Sequence, residues 1–592
     1  MNFYDFEVFR HDWLVVIINP VTHEEKVIVN DVKKLQRYYE RHKNDIWVGF
    51  NSRHYDQYIL KALLCGFDAW EMNEHLITRN MPGWAFSSLL RKIPLINYDV
   101  APLNQSLKQL EGFQGHNIHE SGVDFRIDRK LTAAEIAETI GYCRNDVLET
   151  INVFCELKDD FNAQMELVKM FNLPLNCMSK TKAQISAEVL ECERKDFNDE
   201  WELYTLPCLQ LKQKRWLTVK RKKKKGEPEN PEHDKILGKV FMSPAEWFLN
   251  PKYQDMRLYF ETEVAGVKHV FGWGGIHGAK EKYNYECKNG YMLLHVDVQS
   301  YYPSIMIFWN LLTRAAKAPE RYKFVYDYRL QLKHEGKKKE QAPLKIVLNA
   351  AYGITNDKNS TAYDPRNSHL ITVNGQLMLL DLIEHLEAIP SFELVQSNTD
   401  GLIIKIHERD FDLCDDICYE WETRTKMNLE FDYIERIAQK DVNNYVFVQD
   451  NGKVERKGAY VKELSSIDND LPIINKALNE CILRGVPVEE TINNCDELIQ
   501  FQKICKLTSK FDHVRHNGKT YTNKCYRIFA SRNESDGAVN KYKGEQAFKF
   551  ANTSIHSFIE NGDITGSKVP RKLDRKFYIN LAKERLKQYG IY

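Results

Sequence analysis

Chain length is the first constraint on what this sequence can fold into. One hydrophobic core stops growing at about 250–300 residues. A chain of 592 residues must therefore divide, and roughly three to five domains or subdomains are expected. The first 160 residues alternate strand-like and helix-like segments, with 13–19 and 46–51 reading as strands and 30–42 and 133–157 as helices. This pattern predicts an α/β domain. A polar, less regular stretch follows. It contains the basic run 212–225 (KQKRWLTVKRKKKK) and then GEPENPEHD, and it reads equally as an exposed mobile loop or as a nucleic-acid contact. Further on come a glycine-rich turn at 272–278 (GWGGIHG), a strand at 291–296, two helical segments around 333–345, and strands at 393–406 and 444–448. The last 130 residues are mixed and rich in Lys, Asn and aromatic residues. No internal repeat is visible.

Composition narrows the class. The chain is 43% apolar and 28% charged, with a mean hydropathy of −0.51, ordinary values for a water-soluble globular protein. The apolar run 13–18 is too short to span a bilayer and has no signal-peptide pattern before it, so an intracellular, cytoplasmic protein without membrane association is expected. The 13 cysteines are scattered without a CxxC pair. The closest two, Cys414 and Cys418, lie in an acidic stretch lacking histidines, which favours free thiols over zinc or disulfides. Lys plus Arg and Asp plus Glu both number 83. That balance weighs against a whole-surface nucleic-acid binder and leaves room only for a local basic surface.

Two sets of chemistry-bearing residues stand out. The first begins with Asp5-Phe6-Glu7, whose carboxylates share one side of a strand. It continues with GFNSRHYDQYIL, containing Asn51, Tyr55 and Asp56. It ends with Tyr142-Cys-Arg-Asn-Asp146, where Tyr142 and Asp146 are one helical turn apart. Four carboxylates and a tyrosine suit phosphodiester hydrolysis, in which two divalent ions about 3.5–4 Å apart clamp the attacking and leaving oxygens. Oxygen ligands suit Mg²⁺. The second set starts at HVDVQSYYPSI, where a strand delivers Asp297 to its end and a tight Tyr-Pro turn is expected. Next, Lys345, Asn349 and Tyr352 fall on one helical stripe, a cation, an amide and a ring that suit a nucleoside triphosphate. Last, 395–405 reads as a hairpin turning at Asn398-Thr399-Asp400-Gly401. Taken singly, each has an ordinary structural reading as an edge strand, an amphipathic helix or a turn.

Taken together and in order, they resemble a known family. The first set is similar to the three exonuclease motifs of proofreading DNA polymerases. The second closely resembles the three polymerase motifs of family B DNA polymerases. Asp297, Ser300, Tyr302, Pro303 and Ser304 match the first of these, with Tyr301 in place of Leu. Lys345, Asn349, Tyr352 and Gly353 match the second. Asp400 matches the third, where Asn398 replaces an aspartate. The resemblance implies a multidomain α/β and α+β protein, an RNase H-like exonuclease domain followed by a right-hand palm, fingers and thumb. The implied divisions are an exonuclease domain at 1–160, a connecting region at 161–290, palm at 291–320 and 361–465, fingers at 321–360, and a thumb at 466–592 placed by order alone.

It also implies roles. Asp5, Glu7, Asp56 and Asp146 would bind metal, and Tyr142 would orient the attacking water. Asp297 and Asp400, with the backbone carbonyl of Val298, would hold the second pair of Mg²⁺ or Mn²⁺ ions. Tyr302 would gate the sugar, and Lys345, Asn349, Tyr352, Arg329 and Lys333 would bind the nucleotide. Asn51, Tyr55, Lys440, Tyr445 and Lys457 would contact DNA. Substrates would be primer-template DNA and deoxynucleoside triphosphates, with a phage helicase, primase or single-strand binding protein as candidate partners, in the cytoplasm of the host. A monomer is expected. Only 48 residues separate Asp297 from Lys345, and 55 separate Lys345 from Asp400, too few for the insertions of protein-primed members; a compact phage-type or mobile-element-type member is implied. Two alternatives stay open. One is a nuclease whose polymerase half only binds DNA, suggested by Asn398. The other is a non-catalytic DNA-binding protein.

Overall fold

The computed structural model describes residues 1–118, 120–223 and 235–591. Its first sheet is assembled from strands β1 (Asn2–Val8), β2 (Trp13–Asn19), β3 (Glu24–Val29), β4 (Ile46–Gly49) and β5 (Ile96–Asp99), in the order β3-β2-β1-β4-β5. β1, β2 and β3 are antiparallel neighbours, and β4 and β5 add in parallel. The unbroken apolar run of β2 follows from its place between two strands with both faces covered. β4 stops at Gly49, not at Asn51 as its sequence suggests. The chain turns so sharply there that a Cβ on Gly49 would lie 2.6 Å from Cβ of Ser52. Asn51 itself takes a left-handed φ of 56°. The helix Val32–His42 starts two residues later than the pattern suggests, because Asp31 serves as its N-cap and accepts the Lys34 N–H. Its buried stripe is Leu35, Tyr38 and Tyr39. These pack with Tyr4, Phe6, Val15, Trp47 and Leu60 in one core.

The long helix Ala133–Glu156 begins with a capping box of Thr132 and Glu135. Cys143, Asp146, Val147 and Thr150 recur at three- and four-residue steps on its buried side, and the helix packs on β1 and β2.

The chain falls into two compact units. The first comprises 1–181, 464–477 and 486–582; the second comprises 182–463, 478–485 and 583–592. Residues 161–290, expected as one connecting region, are thus divided between them at 181/182. Most of the 466–592 segment, expected as a thumb, belongs to the first unit. Within that unit, strands Lys503–Lys506, Cys525–Ala530 and Ser557–Ile559 form a small sheet. Its centre is Arg527, fully buried. The guanidinium donates to the carbonyls of Gly112 (3.2 Å), His116 (2.7 Å) and Gly562 (2.6 Å) and to Gln502 Oε1 (3.1 Å). Burial pushes its pKa down to about 10. A buried cation is tolerated here because carbonyl oxygens saturate its fork. The result anchors this segment to the helix Leu107–Gln114.

The second unit is built on one long antiparallel sheet. Its strands are β6 (Arg215–Arg221), β7 (Lys235–Met242), β8 (Leu258–Val264), β9 (Val267–Gly272), β10 (Gly275–Ala279), β11 (Tyr283–Glu286), β12 (Tyr291–Val298), β13 (Glu393–Asn398), β14 (Gly401–His407), β15 (Leu429–Asp441), β16 (Asn444–Gln449) and β17 (Val454–Lys457). The order is β17-β16-β15-β12-β14-β13-β10-β9-β8-β6-β7, with β11 on β15. The glycine-rich 272–278 segment is therefore largely the β9–β10 hairpin. Residues 215–221 of the basic run are a strand: Leu217 and Val219 are buried at two-residue spacing among the cations, which rules out the loop reading for them. Lys224 and Lys225 lie outside the described residues. The helix Pro365–Leu386 is buried almost throughout its length. Among the described residues no helix is long and apolar enough to cross a membrane, and no disulfide joins two cysteines.

Candidate functional site: two carboxylate centres

The first centre lies in the first unit, on β1. Residues two apart on a strand share a face, so Asp5 and Glu7 both turn toward the helix Ala133–Glu156. Cys143 on that helix donates its thiol hydrogen to the Asp5 carbonyl (3.3 Å) and to Asp5 Oδ2 (3.5 Å). One ligand atom each of Asp5, Glu7 and Cys143 lies within 4.8 Å of the others. Asp56 opens the helix Asp56–Leu64 and accepts the Phe6 N–H on β1 at 3.0 Å. Asp146 meets Lys108, whose Nζ lies 2.5 Å from Asp146 Oδ1 and 2.8 Å from Glu111 Oε1. The same Nζ sits 4.8 Å from the Tyr142 ring centroid.

The electrostatics of this centre are unusual. Burial, then the charges of Asp56, Glu7 and Asp146, push Asp5 well above the ordinary carboxylate range. Burial, Asp146 and Asp56 do the same to Glu7. Burial lifts Asp56 to about 7, against the opposing Phe6 N–H. Burial and the surrounding carboxylates also raise the Tyr142 phenol. Glu7, Asp56 and Asp146, all buried, and the half-buried Asp5 have one lysine among them, which Glu111 also shares, so the centre is short of positive charge. An oxygen-rich donor set with that deficit fits Mg²⁺ or Mn²⁺, while the thiol of Cys143 serves as a hydrogen-bond donor to Asp5. Of the two residues expected nearby to touch DNA, Asn51 is exposed with its N–H on Asp99 Oδ1 (2.9 Å), and Tyr55 spends its hydroxyl on Asn73 Oδ1 (2.8 Å).

The second centre lies in the second unit, at adjoining ends of β12 and β14. Asp297 pairs with Gly401, and the Val298 N–H donates to the Asp400 carbonyl at 2.8 Å. Gly401 is required: a Cβ there would come within 2.9 Å of the Val296 carbonyl and 3.0 Å of Asp297 Oδ1. Burial pushes Asp297 up to about 7, reinforced by Asp400, Glu430, Glu455 and Asp432. Two carboxylates and the Val298 carbonyl again form an oxygen-only donor set that fits Mg²⁺. Asn398 is not among the residues that line the cleft, and its Oδ1 accepts the Thr399 N–H at 2.9 Å within the turn.

A cleft of about 460 Å³ opens over this pair. Asp297, Val298, Ser300, Tyr302, Arg329, Lys345, Asn349, Tyr352, Thr399 and Asp400 are among the residues that line it. Ser300, at φ 50°, turns the chain from β12 into the helix Tyr301–Phe308. The Tyr-Pro segment is thus the first turn of a helix and not the tight turn expected. Proline is tolerated there because its missing N–H would have had no intrahelical partner. Tyr301 fixes that turn by donating to the Gly375 carbonyl at 2.6 Å. Lys345, Asn349 and Tyr352 share one face of the helix Lys338–Asn356. Tyr352 holds Thr372 Oγ1 at 2.7 Å, and its ring lies 4.8 Å from that of Tyr302. Arg329 donates to Ser300 Oγ at 2.8 Å.

Four expected contact residues are not in the cleft lining. Lys333 is exposed and paired with Glu430 at 2.6 Å. Lys440 pairs with Asp441 at 3.4 Å. Tyr445 is buried on β16, opposite Lys457 on β17, whose Nζ lies 5.9 Å from the Tyr445 ring centroid. Sequence reasoning missed Lys108, whose signal is a lysine inside the buried stripe of Leu107, Leu110 and Glu111. It also missed Glu430, Glu455 and Asp432, which only strand pairing brings near Asp297.

No protein-family model matches the chain. Over 196 residues, 32% of this chain, it is 21% identical to "DNA polymerase 1" from Sulfurisphaera ohwakuensis, and the match spans about a fifth (21%) of that relative. Its structure aligns with that of the family B DNA polymerase from the hyperthermophilic archaeon Pyrobaculum calidifontis, over 99% of this chain and 77% of that one, with a TM-score of 0.38 and 14% identity.

Proposed function

We propose that this chain is a DNA-directed DNA polymerase of family B type with a separate 3′–5′ exonuclease centre, in a compact phage-type form. The observation that carries this reading is the cleft of the second unit: paired strand ends present Asp297 and Asp400 at its floor, and one helix face presents Lys345, Asn349 and Tyr352 as its wall. Asp297, Asp400 and the Val298 carbonyl would hold divalent ions there; Asp5, Glu7, Asp56 and Asp146 would hold them in the first unit. Such ions, when bound, stabilise charge on a reacting phosphate and acidify an attacking hydroxyl or water. Lys345 and Arg329 neutralise the triphosphate, which in a water-poor cleft contributes several kcal/mol to a developing phosphate charge. Tyr302 stacks against the sugar, held by Tyr352 behind it. In the first unit Lys108 fixes Asp146, and Tyr142 orients the water. Substrates are primer-template DNA and deoxynucleoside triphosphates, with a helicase, primase or single-strand binding protein as candidate partners.

The test is a 5′-labelled primer-template incubated with the purified chain and Mg²⁺. Extension with nucleotides, shortening without them, and loss of both on adding EDTA are expected. Shortening alone would make the chain a nuclease that merely binds DNA through its second unit, and neither activity would make it a non-catalytic binder.

Sugar choice gives a sharper check. The Tyr302 ring lies against the Tyr352 ring, 4.8 Å between centroids, and beside Gly375, where a Cβ would come within 3.3 Å of Tyr302 Cε1. The Tyr352 ring backs it against displacement by a ribose 2′-hydroxyl. Tyr302→Ala raises ribonucleotide incorporation relative to deoxynucleotide by orders of magnitude, read in single-nucleotide kinetics. Unchanged discrimination would remove the gate from Tyr302.

A further inference from the structure

The hairpin of β6 and β7 ends the long sheet of the second unit and has two unlike faces. One is buried through Leu217 and Val219. The other carries Trp216, Thr218 and Lys220, and across from them Phe241, Lys239 and Ile236. Trp216 and Phe241 are directly paired, with ring centroids 5.4 Å apart, yet they remain 63% and 56% exposed. Neighbouring exposed aromatic rings lose apolar burial, and on a soluble chain they call for an occupant.

Charge says which occupant. The two strands hold Arg215, Lys220, Arg221, Lys235 and Lys239 and no carboxylate, in a chain whose net charge is zero. Part of the surrounding basic charge is spent inside the protein: Lys214 pairs with Glu246 (3.0 Å), Arg215 with Glu384 (3.1 Å), and Lys220 with Glu261 (2.7 Å). Lys222, Lys235 and Lys239 are exposed, and none meets a carboxylate among the described residues. Addition of a protein strand to β7 is opposed by the irregular register at Val219/Lys220 and by Gly238 at φ 145°, features that blunt an edge. Exposed rings beside cations form the general arrangement that grips single-stranded nucleic acid, rings for bases and cations for phosphates.

We propose that the open face of the β6–β7 hairpin binds single-stranded DNA, with bases stacking on Trp216 and Phe241 and phosphates held by Lys239 and the lysines beside it. Five strand steps, β13, β10, β9, β8 and β6, separate this face from β14 and Asp400, about 24 Å along the sheet. A strand leaving the cleft reaches it within several nucleotides, so the natural occupant is the unpaired template ahead of the primer end. In this the site rests on the polymerase reading above.

The experiment compares two primer-templates, one with a long oligothymidine 5′ overhang and one with a single-nucleotide overhang, by fluorescence anisotropy in EDTA and by extension in Mg²⁺. The full chain binds the long overhang more tightly. Trp216→Ala with Phe241→Ala removes that gain, weakening long-overhang binding about tenfold or more, and leaves short-overhang extension unchanged. Trp216→Phe with Phe241→Tyr, which keeps the rings, retains the gain, and Lys239→Glu lowers its salt dependence. A gain that survives the double alanine change overturns the site. So does loss of self-association in that variant with DNA binding intact, which would assign the face to protein. Absence of any extension by the unaltered chain would instead strike the polymerase reading, and overhang binding would still report on the hairpin.

Discussion

Asp400→Asn lowers the primer-extension rate by on the order of 10³-fold or more, whereas Asn398→Asp changes it by less than about tenfold. The asymmetry comes from which of the two residues lines the cleft. Asp400 lines the cleft beside Asp297, and its charge is among those that hold the Asp297 pKa up. An amide there removes charge from the oxygen set that would hold the ions. Asn398 instead closes its own turn through the Thr399 N–H and is not in the cleft lining. A carboxylate at that position can accept the same hydrogen bond, and it adds its charge at a residue outside the cleft lining. Pre-steady-state extension at saturating Mg²⁺ reads both variants. A large gain from Asn398→Asp would mean that the natural chain is a weakened polymerase and would favour the nuclease-first reading. Asp297→Ala belongs with Asp400→Asn: it abolishes extension while degradation of single-stranded 3′ ends continues, because the other four acids lie in a different compact unit.

The converse change is Asp5→Ala combined with Asp56→Ala, which abolishes degradation of single-stranded 3′ ends and leaves extension largely intact. Asp5 and Asp56 are two of four acids that raise one another's pKa in a buried setting. Without them Glu7 and Asp146 remain, with Asp146 held by Lys108, and the site lacks the carboxylates to hold ions that assist hydrolysis. The fold survives the loss. Relief of like-charge repulsion in the cluster offsets the lost acceptor of the Phe6 N–H, so in EDTA the double variant melts close to the parent chain. Thermal melting in EDTA and a gel assay of 3′-end degradation read the two effects separately. Loss of both activities in a variant that melts normally would show that the two centres are not independent.

Sequence alone determined the local frame. The same-side spacing of Asp5 and Glu7, the unbroken apolar run of 13–18 and the helical pattern of 133–157 are properties of neighbouring residues, and they fall in β1, β2 and the long helix. The shared face of Lys345, Asn349 and Tyr352 is likewise a consequence of helical spacing. Tertiary structure decided everything that depends on pairing between distant segments. The register of β12 against β14 and β15 sets Asp297 beside Gly401 and Glu430, and no local signal encodes that register. Lys108 reads in sequence as one cation in a short amphipathic helix. Only the packing of that helix against Ala133–Glu156 brings its Nζ to Asp146. The basic run looked uniform because charge masks periodicity. Burial of Leu217 and Val219 beneath the sheet reveals β6 and leaves Trp216 outside. Long-range contacts also joined residues 486–582 to the first unit, through carbonyls that saturate the buried Arg527. Backbone oxygens of that kind leave no trace in side-chain identity, so chain order alone was no guide to them.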